Sequence, residues 1–481
     1  MNHNVVADTV ANLAVRGSFF SLGSSAITIV SGFVRSVILA RLLAPQDFGI
    51  VTLALFFLSI TNQFRDFGFN WALVHRDQDV SAATSTHFFL RLGMTLAMTV
   101  LTLIATPLLT HLYPAQPEMI SALLALSFLE FLNAVNSTPN FTLRKEMEFK
   151  YLAILDVASS LAMTLFAPAM ALAGFGFWTL VAEQAIPTLV RTIGLWGVRR
   201  PWELSLEFDR GLARWYFRFG SYVFVSSSFT FLLDQFDDFW TGTVLGAAPL
   251  GFYSRAYEFA RYPRRAVANP ITRVFFPAYA KLRHDRVRLS KAFYRASSLM
   301  VRVGFLLSLA FVLVIPEFTR IFLGAKWLPM VTTFRLMTLY TLLDPLMLTS
   351  GHLLTAVGRP QIVTKIKGVQ LLVFVPAVII LSRNLGIEGV GVAVDLMTLI
   401  GLGLIVVRIR EFVDFSLWKL FGFPSLSLVA ATGITLFLQT TLSISNDWWS
   451  LVLKGGAATI VYSTLLLVFE FQELRKAFWI A

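Results

Sequence analysis

The sequence predicts an all-α, polytopic membrane protein with about fourteen transmembrane helices. Of its 481 residues, 56% are hydrophobic and 14% are charged, whereas soluble domains average about 45–50% apolar and about 25% charged. The mean hydropathy of +0.70 agrees with that composition. Apolar runs of about 20 residues, the length that crosses a bilayer, follow one another along the chain. The net charge of +12 is therefore attributed to basic loops beside a membrane and not to nucleic-acid binding.

Fourteen apolar runs are long enough to be spans, and the loops between them are short. By residue number they are 17–40, 47–66, 86–109, 118–138, 151–172, 175–197, 217–241, 249–280, 292–316, 329–357, 361–382, 386–408, 420–441 and 449–470. The eighth run is charged and contains Pro263, Pro270 and Pro277. Proline removes a backbone hydrogen bond, so a kink or break is expected there.

Between the sixth and seventh runs, residues 209–219 predict an amphipathic helix on the membrane surface. Arg210, Arg214 and Arg218 recur every four residues, while aliphatic and aromatic side chains take the other face. A basic and aromatic helix of this kind lies in the plane of the lipid headgroups.

The distribution of Lys and Arg predicts that both termini are cytoplasmic. With an even number of spans the two ends lie on one side, and basic clusters such as 144–150 and 281–291 fall in loops on that side. The opposite side carries few basic residues, among them Arg41, Arg320 and Lys326. Cytoplasmic loops of membrane proteins are enriched in Lys and Arg, which supports this orientation.

An internal repeat divides the spans into two halves. The stretch RLLAPQDFGIV follows the first span, and TVLGAAPLGFY follows the seventh. An offset of 202 residues aligns them and pairs Gly49 with Gly251. We expect a six-helix N-lobe over residues 1–200, a six-helix C-lobe over 201–412, and helices 13 and 14 over 413–481. Lobes of six spans enter the membrane from the same side, and substrate would bind between them.

Six short stretches carry a resemblance to a known family. They lie at residues 40–49, 66–68, 144–149, 245–257, 270–278 and 324–327. In their order and spacing they are similar to the polysaccharide transporter family of Wzx-type flippases. That family belongs to the MOP superfamily, which also holds the multidrug (MATE) antiporters and the lipid II flippases. One departure is Thr243, where such sequences often have a basic residue.

The resemblance implies a flippase and not an enzyme. Its members move undecaprenyl-diphosphate-linked oligosaccharide repeat units from the cytoplasmic to the periplasmic leaflet of the cell inner membrane by alternating access. The units are used for exopolysaccharide, capsule or O-antigen synthesis. The resemblance also implies a two-lobed MATE-like fold and, as partners, membrane lipids and the polymerase and co-polymerase of the same pathway. A monomer is expected.

Three alternative functions stay open. A MATE-like, cation-coupled exporter of small molecules would favour an acidic and aromatic cavity, whereas the eighth span is basic. Lipid II is the alternative lipid-linked substrate. A membrane polymerase or ligase of the same pathway would carry a sizeable periplasmic loop, and no loop here is long enough.

Arginines inside the predicted spans are the candidate substrate-binding residues. Each charged residue at membrane depth costs about 2.5–3.5 kcal/mol on insertion scales and tends to face a cavity or another charge. The guanidinium donates two parallel hydrogen bonds, which suits a diphosphate. Snorkelling to the nearer membrane surface is the alternative for each. The candidates are Arg35, Arg91, Arg255, Arg261, Arg264, Arg265 and Arg302.

Acidic residues near these arginines are candidate counter-charges or ion-coupling sites, namely Asp66, Asp237 and Glu258. Glu258 lies three residues from both Arg255 and Arg261, so it can pair with either. The repeat places Asp237 at the position of Arg35, which suggests an ion pair between the two. Structural ion pairing and a site for H⁺ or Na⁺ are the competing roles.

Other chemistry is not expected from the sequence. There are no cysteines, and the six histidines are scattered without metal-ligand spacing. No glycine-rich phosphate loop occurs, so direct use of ATP is not expected. We predict no catalytic residue, no metal and no cofactor, with H⁺ or Na⁺ as the candidate coupling ion and no nucleic-acid partner.

Overall fold

The computed structural model describes residues 3–75, 80–146, 148–198, 207–442 and 444–478. Within these ranges the backbone is almost entirely helical and forms no β-strand. The chain divides into two compact units. Unit 1 comprises Met1–Phe231 and Gly242–Gly251, and unit 2 comprises Leu232–Thr241 and Phe252–Ala481. The lobe boundary expected at residues 200 and 201 lies outside the described residues.

Unit 1 is built from long helices with short turns. They are α1 His3–Leu42, α2 Pro45–Asp66, α3 Phe69–His75, α4 Val80–Leu112, α5 Pro117–Lys145, α6 Phe149–Leu172, α7 Trp178–Thr192 with a π-helical end at Ile193–Val198, and the first part of α8 Arg210–Trp240. Local signals explain the helix ends. At the start of α2 the Asp47 carboxylate accepts a hydrogen bond from the Ala44 backbone N–H at 2.9 Å, and after α2 Phe67 and Gly68 both have positive φ, which ends a helix.

Unit 2 contains the rest of α8 and the helices that follow. They are α9 Ala247–Ala260 (beyond its first turn, which belongs to unit 1), α10 Asn269–Leu282, α11 Arg286–Phe318, α12 Pro329–Leu336, α13 Thr338–Ala356, α14 Pro360–Leu385, α15 Ile387–Ile409, α16 Leu417–Leu442 and α17 Asp447–Phe478. A shared apolar core joins α11, α13, α16 and α17. α16 and α17, which lie in the segment predicted to hold helices 13 and 14, thus pack on α11 and α13 of unit 2.

The prediction of an all-α, multi-pass membrane protein is confirmed. Each of the fourteen predicted spans overlaps one or more helices, and ten of the described helices are long and apolar enough to cross a membrane. The sixth, seventh, eighth and tenth predicted spans are not among those ten. The eighth and tenth are each divided into shorter helices. The total of fourteen crossings therefore stays a prediction.

The eighth span is broken where its prolines predict. α9 ends at Ala260, and a π-helical segment over Arg264–Ala268 leads into α10. Pro263 directly precedes that segment, and Pro270 lies in the first turn of α10. Because proline has no N–H to continue the hydrogen-bond ladder, the backbone changes its helix type here. Short π-helical turns recur at functional sites.

The amphipathic segment 209–219 forms the first turns of α8 and is not a separate surface helix. No proline separates it from the rest of α8, so the helix continues. Its buried side packs on protein within unit 1. The Tyr216 ring meets the Phe69 ring edge to face, and the Tyr216 hydroxyl donates to the backbone carbonyl of Ala83 at 3.1 Å.

The two copies of the internal repeat meet in unit 1, where the first turns of α2 and α9 pack together. Gly49 lies against the backbone of Ala247, and Gly251 lies against the backbone of Pro45. The repeat offset pairs Gly49 with Gly251 and Pro45 with Ala247, so the contact is reciprocal. A Cβ atom at either glycine would overlap backbone atoms of the other copy, which explains why both positions lack a side chain.

Candidate functional site

Each of the seven candidate arginines lies beside a carboxylate of its own unit. The pairs are Arg35–Glu183, Arg91–Asp66, Arg255–Glu258, Arg265–Glu258, Arg261–Asp234, Arg264–Asp344 and Arg302–Glu470. Pairing is the expected state of charges at membrane depth. The arginines therefore do not form an uncompensated positive surface, and they differ in how firmly their partners hold them.

The break between α9 and α10 holds three of these arginines with different partners. Nη2 of Arg261 lies 3.4 Å from Asp234 Oδ1, and its guanidinium carbon lies 4.4 Å from the centre of the Tyr257 ring. Nη1 of Arg264 lies 3.2 Å from Asp344 Oδ1. The side chains of Arg261 and Arg264 are 28% and 33% exposed. The break thus presents accessible guanidinium groups that carboxylates hold at one nitrogen each.

Glu258, which lies two residues before the end of α9, contacts two of the arginines. Its Oε2 lies 2.5 Å from Arg255 Nη2, and its Oε1 lies 3.7 Å from Arg265 Nη1. The predicted pairing with Arg255 is therefore present, whereas Arg261 pairs with Asp234 instead. The Arg265 side chain is 42% exposed, the largest exposure among the seven arginines.

Asp237 has a neutral partner. It is fully buried, and its Oδ2 accepts a hydrogen bond from the Tyr253 hydroxyl at 2.5 Å. Its Oδ1, like Oδ1 of Asp238, has no hydrogen-bond partner among the described residues. Asp66 and Glu258, the other candidate acids, each lie beside an arginine. Asp237 is thus the candidate acid whose charge is least compensated by direct contact.

The suggested partner of Asp237, Arg35, has a different carboxylate within unit 1. Nε of Arg35 donates to Glu183 Oε1 at 2.6 Å, and Nη1 donates to the Thr164 hydroxyl at 3.3 Å. Sequence reasoning did not single out Glu183. A lone acid in the middle of the sixth predicted span was the signal that could have found it.

Arg302 is held more tightly than the arginines at the break. Its Nε and Nη2 donate to the two carboxylate oxygens of Glu470 at 2.5 and 2.8 Å. Its Nη1 donates to the backbone carbonyl of Ser298 at 3.1 Å. The two charged side chains are 7% and 2% exposed. All three guanidinium nitrogens are used within the protein, so Arg302 is assigned to joining α11 and α17.

A polar cavity of about 460 Å³ lies within unit 1. It is bordered by α2, α3, α4, α5 and α7, and its polar lining is Asn62, Asn70, Arg91, Glu130, Asn133, Asn136, Ser137, Asn140, Gln184, Thr188 and Arg191. Of these only Arg91 was predicted. The signal in the sequence was the recurrence of Glu130, Asn133 and Asn136 or Ser137 at helical spacing within an apolar run.

The described residues contain no group of three or more metal-ligating His, Asp or Glu side chains. The arrangement consists of ion pairs and amides that can exchange partners with a polar ligand.

Comparisons with known sequences show which protein family the chain resembles. A family model described as "Polysaccharide biosynthesis protein" matches residues 38–332. The lipopolysaccharide biosynthesis protein WzxC of Escherichia coli strain K12 is 25% identical over 382 residues, covering 78% of this chain and 76% of WzxC. The succinoglycan biosynthesis transport protein ExoT of Rhizobium meliloti is 31% identical over 286 residues, covering 59% of this chain and 57% of ExoT. The match to ExoT thus spans less than two thirds of its length.

Solved structures share the fold. The lipid II flippase MurJ in an inward closed conformation superimposes with a TM-score of 0.76 at 13% identity, covering 96% of this chain and all of that one (100%). An inward-facing multidrug resistance MATE family transporter of the MOP superfamily gives a TM-score of 0.61 at 15% identity, covering 82% of this chain and 98% of that one.

Proposed function

Because the chain belongs to the family of polysaccharide biosynthesis proteins, whose model matches residues 38–332, we propose that it is a flippase. It moves undecaprenyl-diphosphate-linked oligosaccharide repeat units from the cytoplasmic to the periplasmic leaflet by alternating access. The product serves exopolysaccharide, capsule or O-antigen synthesis. The structural observation that carries this proposal is the set of accessible, singly held arginines at the break between α9 and α10.

These arginines suit a diphosphate that must be bound and then released. Arg261, Arg264 and Arg265 keep exposed fractions of 28%, 33% and 42%, and each contacts its carboxylate through one nitrogen. A phosphate group can therefore displace the carboxylate and form the two parallel hydrogen bonds that a guanidinium favours. When the phosphate leaves, the carboxylate returns, so no arginine is left as a buried unpaired charge.

The proposed substrate-binding set also includes Arg35, Arg91 and Arg255, whose side chains are less exposed than those of the three arginines at the break. Arg302 is removed from it, because every nitrogen of its guanidinium is occupied by Glu470 or Ser298. Its position supports a structural role.

Proton coupling is proposed at Asp237. Protonating Asp66 or Glu258 would leave arginines without their counter-charge. Protonating Asp237 leaves behind only the neutral Tyr253 hydroxyl. A buried carboxyl that can change charge without stranding an arginine is the better proton carrier. Na⁺ is the competing ion at the same residue.

The cellular setting is proposed from the charge distribution and the family. The chain is a multi-pass membrane protein, and we place it in the inner membrane with both termini in the cytoplasm, since basic clusters fall on that side. It acts as a transporter without a catalytic residue or cofactor. It works as a monomer beside the polymerase and co-polymerase of its pathway.

A deletion strain tests the function directly. Loss of this chain should stop polymer export and cause undecaprenyl-linked repeat units to accumulate on the cytoplasmic side, where they stay accessible to cytoplasmic enzymes and not to periplasmic ones. Reintroducing the chain should restore export. Normal export in the deletion strain would refute the proposal. Lipid II is the alternative substrate, and rescue of a strain depleted of its lipid II flippase would favour it.

A further inference from the structure

The polar cavity of unit 1 gives each of its arginines a carboxylate of its own, whereas at the break between α9 and α10 two arginines, Arg255 and Arg265, share the single carboxylate of Glu258. Arg91 lies 3.6 Å from Asp66, and Arg191 lies 2.5 Å from Asp156. In a third pair, Glu130 of the lining lies 3.9 Å from Arg65. Each positive charge thus has a neighbouring negative one. A dianionic group entering here would gain little net attraction and would meet the carboxylates as well.

Amide side chains make up most of the remaining polar lining of this cavity. They are Asn62, Asn70, Asn133, Asn136, Asn140 and Gln184. An amide both donates and accepts hydrogen bonds, and burying one at membrane depth is costly unless those bonds are made. Some of them accept hydrogen bonds from hydroxyl groups. The Thr188 hydroxyl donates to Asn133 Oδ1 at 2.8 Å, and Ser137 donates to Asn70 Oδ1 at 3.0 Å.

Within the described chain, the side-chain amide of Asn136 is hydrogen-bonded at its nitrogen but not at its oxygen. Its Nδ2 donates to the backbone carbonyl of Thr188 at 3.2 Å and to the Thr192 hydroxyl at 2.7 Å. A carbonyl accepts but never donates, so this contact fixes which end of the amide is oxygen. The side chain is buried, and its Oδ1 has no hydrogen-bond partner among the described residues. Asn136 therefore offers an acceptor that needs a donor.

In the described ranges, two further lining residues also have atoms without a hydrogen-bond partner, an acceptor on one and a donor on the other. Oδ1 of Asn140 also lacks a hydrogen-bond partner within the described part of the chain, as does Nε of Arg91. The cavity thus offers acceptors and a donor together. Unpaired buried polar groups are rare in folded proteins and call for an explanation. A phosphate oxygen can satisfy only the donor, whereas a hydroxyl group both donates and accepts.

We propose that this cavity binds a neutral sugar residue of the lipid-linked oligosaccharide, separately from the diphosphate. This inference rests on the proposed flippase function. The sugar hydroxyls donate to Asn136 and Asn140 and accept from Arg91. The volume of about 460 Å³ falls within the range of about 300–1,000 Å³ for small-ligand pockets.

The position of the cavity suits loading of the glycan from the cytoplasm. Its polar face on α5 runs from Glu130 to Asn140, a distance of about 15 Å along the helix. On the proposed topology α5 runs inward, so this face belongs to the cytoplasmic half of the membrane. The glycan is on that side before transport.

A single introduced thiol tests the proposal, since the chain contains no cysteine. Asn140→Cys places the thiol in the lining, and Ser121→Cys places one on an exposed turn of the same helix as a matched control. The full-length chain in nanodiscs is treated with a small maleimide reagent. The two ligands are the lipid-linked repeat unit extracted from the deletion strain and sugar-free undecaprenyl diphosphate.

The repeat unit should slow modification at Asn140→Cys by about tenfold when present at about ten times its Kd. Undecaprenyl diphosphate should not slow it, and neither ligand should protect Ser121→Cys. Equal protection by both ligands would overturn the proposal, because it would place the diphosphate or lipid in the cavity. Absence of protection in a chain that still transports would also overturn it while leaving the flippase function intact. Absence of transport by the wild-type chain would instead refute the flippase function itself.

A binding measurement makes a second test that needs no reactive reagent. Asn136→Leu removes the unpaired acceptor at similar volume. It should weaken binding of the repeat unit by about fivefold, the loss of one net hydrogen bond, and leave binding of undecaprenyl diphosphate unchanged. Equal weakening for both ligands, or for neither, contradicts the sugar assignment.

Discussion

Arg302 of α11 and Glu470 of α17 form a bidentate ion pair, with nitrogen–oxygen distances of 2.5 and 2.8 Å. The Tyr462 hydroxyl of α17 donates to the backbone carbonyl of Arg302 at 3.1 Å, so side chain and backbone are both held. Further along the same two helices, Lys454 lies 2.7 Å from Glu317, and both are buried. Two buried ion pairs at different depths thus fix α17 against α11.

Breaking the Arg302 pair from one side should destabilise the protein strongly. Glu470→Ala leaves a buried guanidinium without its counter-charge, and such losses amount to about 3–5 kcal/mol. Thermal unfolding of the purified chain in detergent should show a clearly lower Tm. The double variant Arg302→Met with Glu470→Leu removes both charges and should unfold near the wild-type temperature. A wild-type Tm for Glu470→Ala would contradict the structural role.

Replacing Gly49 or Gly251 by a residue with a side chain should disrupt the contact between the first turns of α2 and α9. Gly49→Val and Gly251→Val each place a Cβ atom against backbone, which cannot move aside as a side chain can. Overpacking of this kind costs about 1–3 kcal/mol. Gly93→Ala on α4 is the matched control, because nothing lies within 4 Å of its Cβ position. Loss of stability and export in the first two variants, with retention in the third, is the expected pattern. Similar behaviour of all three would show that the contact is dispensable.

Arg264 should contribute to substrate affinity because its planar guanidinium group can donate two parallel hydrogen bonds to a phosphate. Arg264→Ala should weaken binding of the lipid-linked repeat unit by about 10–100-fold, since a hydrogen bond to a charged group contributes about 1.5–3 kcal/mol. Arg264→Lys keeps the charge without the paired donors and should fall between wild type and alanine. Binding is measured on chain purified at matched amounts.

The control for Arg264 is Arg288, whose side chain is 76% exposed and pairs with Asp285. Arg288→Ala should leave binding unchanged, because Arg288 lies in the first turn of α11, outside the break, and an exposed ion pair contributes little to stability. Full affinity in Arg264→Ala would remove the break between α9 and α10 from the substrate site.

Asp237→Asn should abolish the coupling of transport to protons without affecting binding of the lipid-linked repeat unit. The amide is close in size to the carboxyl and can still accept from Tyr253, but it cannot take up a proton. Transport in proteoliposomes should lose its response to an imposed pH gradient, while binding of the repeat unit stays within about twofold. Glu258→Gln should behave differently and lower the Tm, because Arg255 and Arg265 both lose their counter-charge. A wild-type response to the pH gradient in Asp237→Asn would exclude this residue as the carrier.

The sequence predicts local features of this molecule better than long-range ones. Apolar runs place the helices, and proline places the break after Pro263, because both act within a few residues. The Arg255–Glu258 pair follows from helical spacing. By contrast, the pair of Arg35 with Glu183 joins helices far apart in the chain, and no periodicity reports which helices become neighbours. The polar cavity was missed for the same reason, since its lining comes from five helices.

The reciprocal glycine contact has a consequence for how the protein is made. Unit 1 includes Gly242–Gly251, so the surface of α2 around Gly49 is covered only after synthesis has passed residue 251. At about 5–20 residues per second, about 200 residues take roughly 10–40 s to translate. During that interval the face of α2 around Gly49 lacks this partner in the membrane. We expect a nascent chain halted before residue 242 to be more sensitive to membrane proteases than one halted after residue 260.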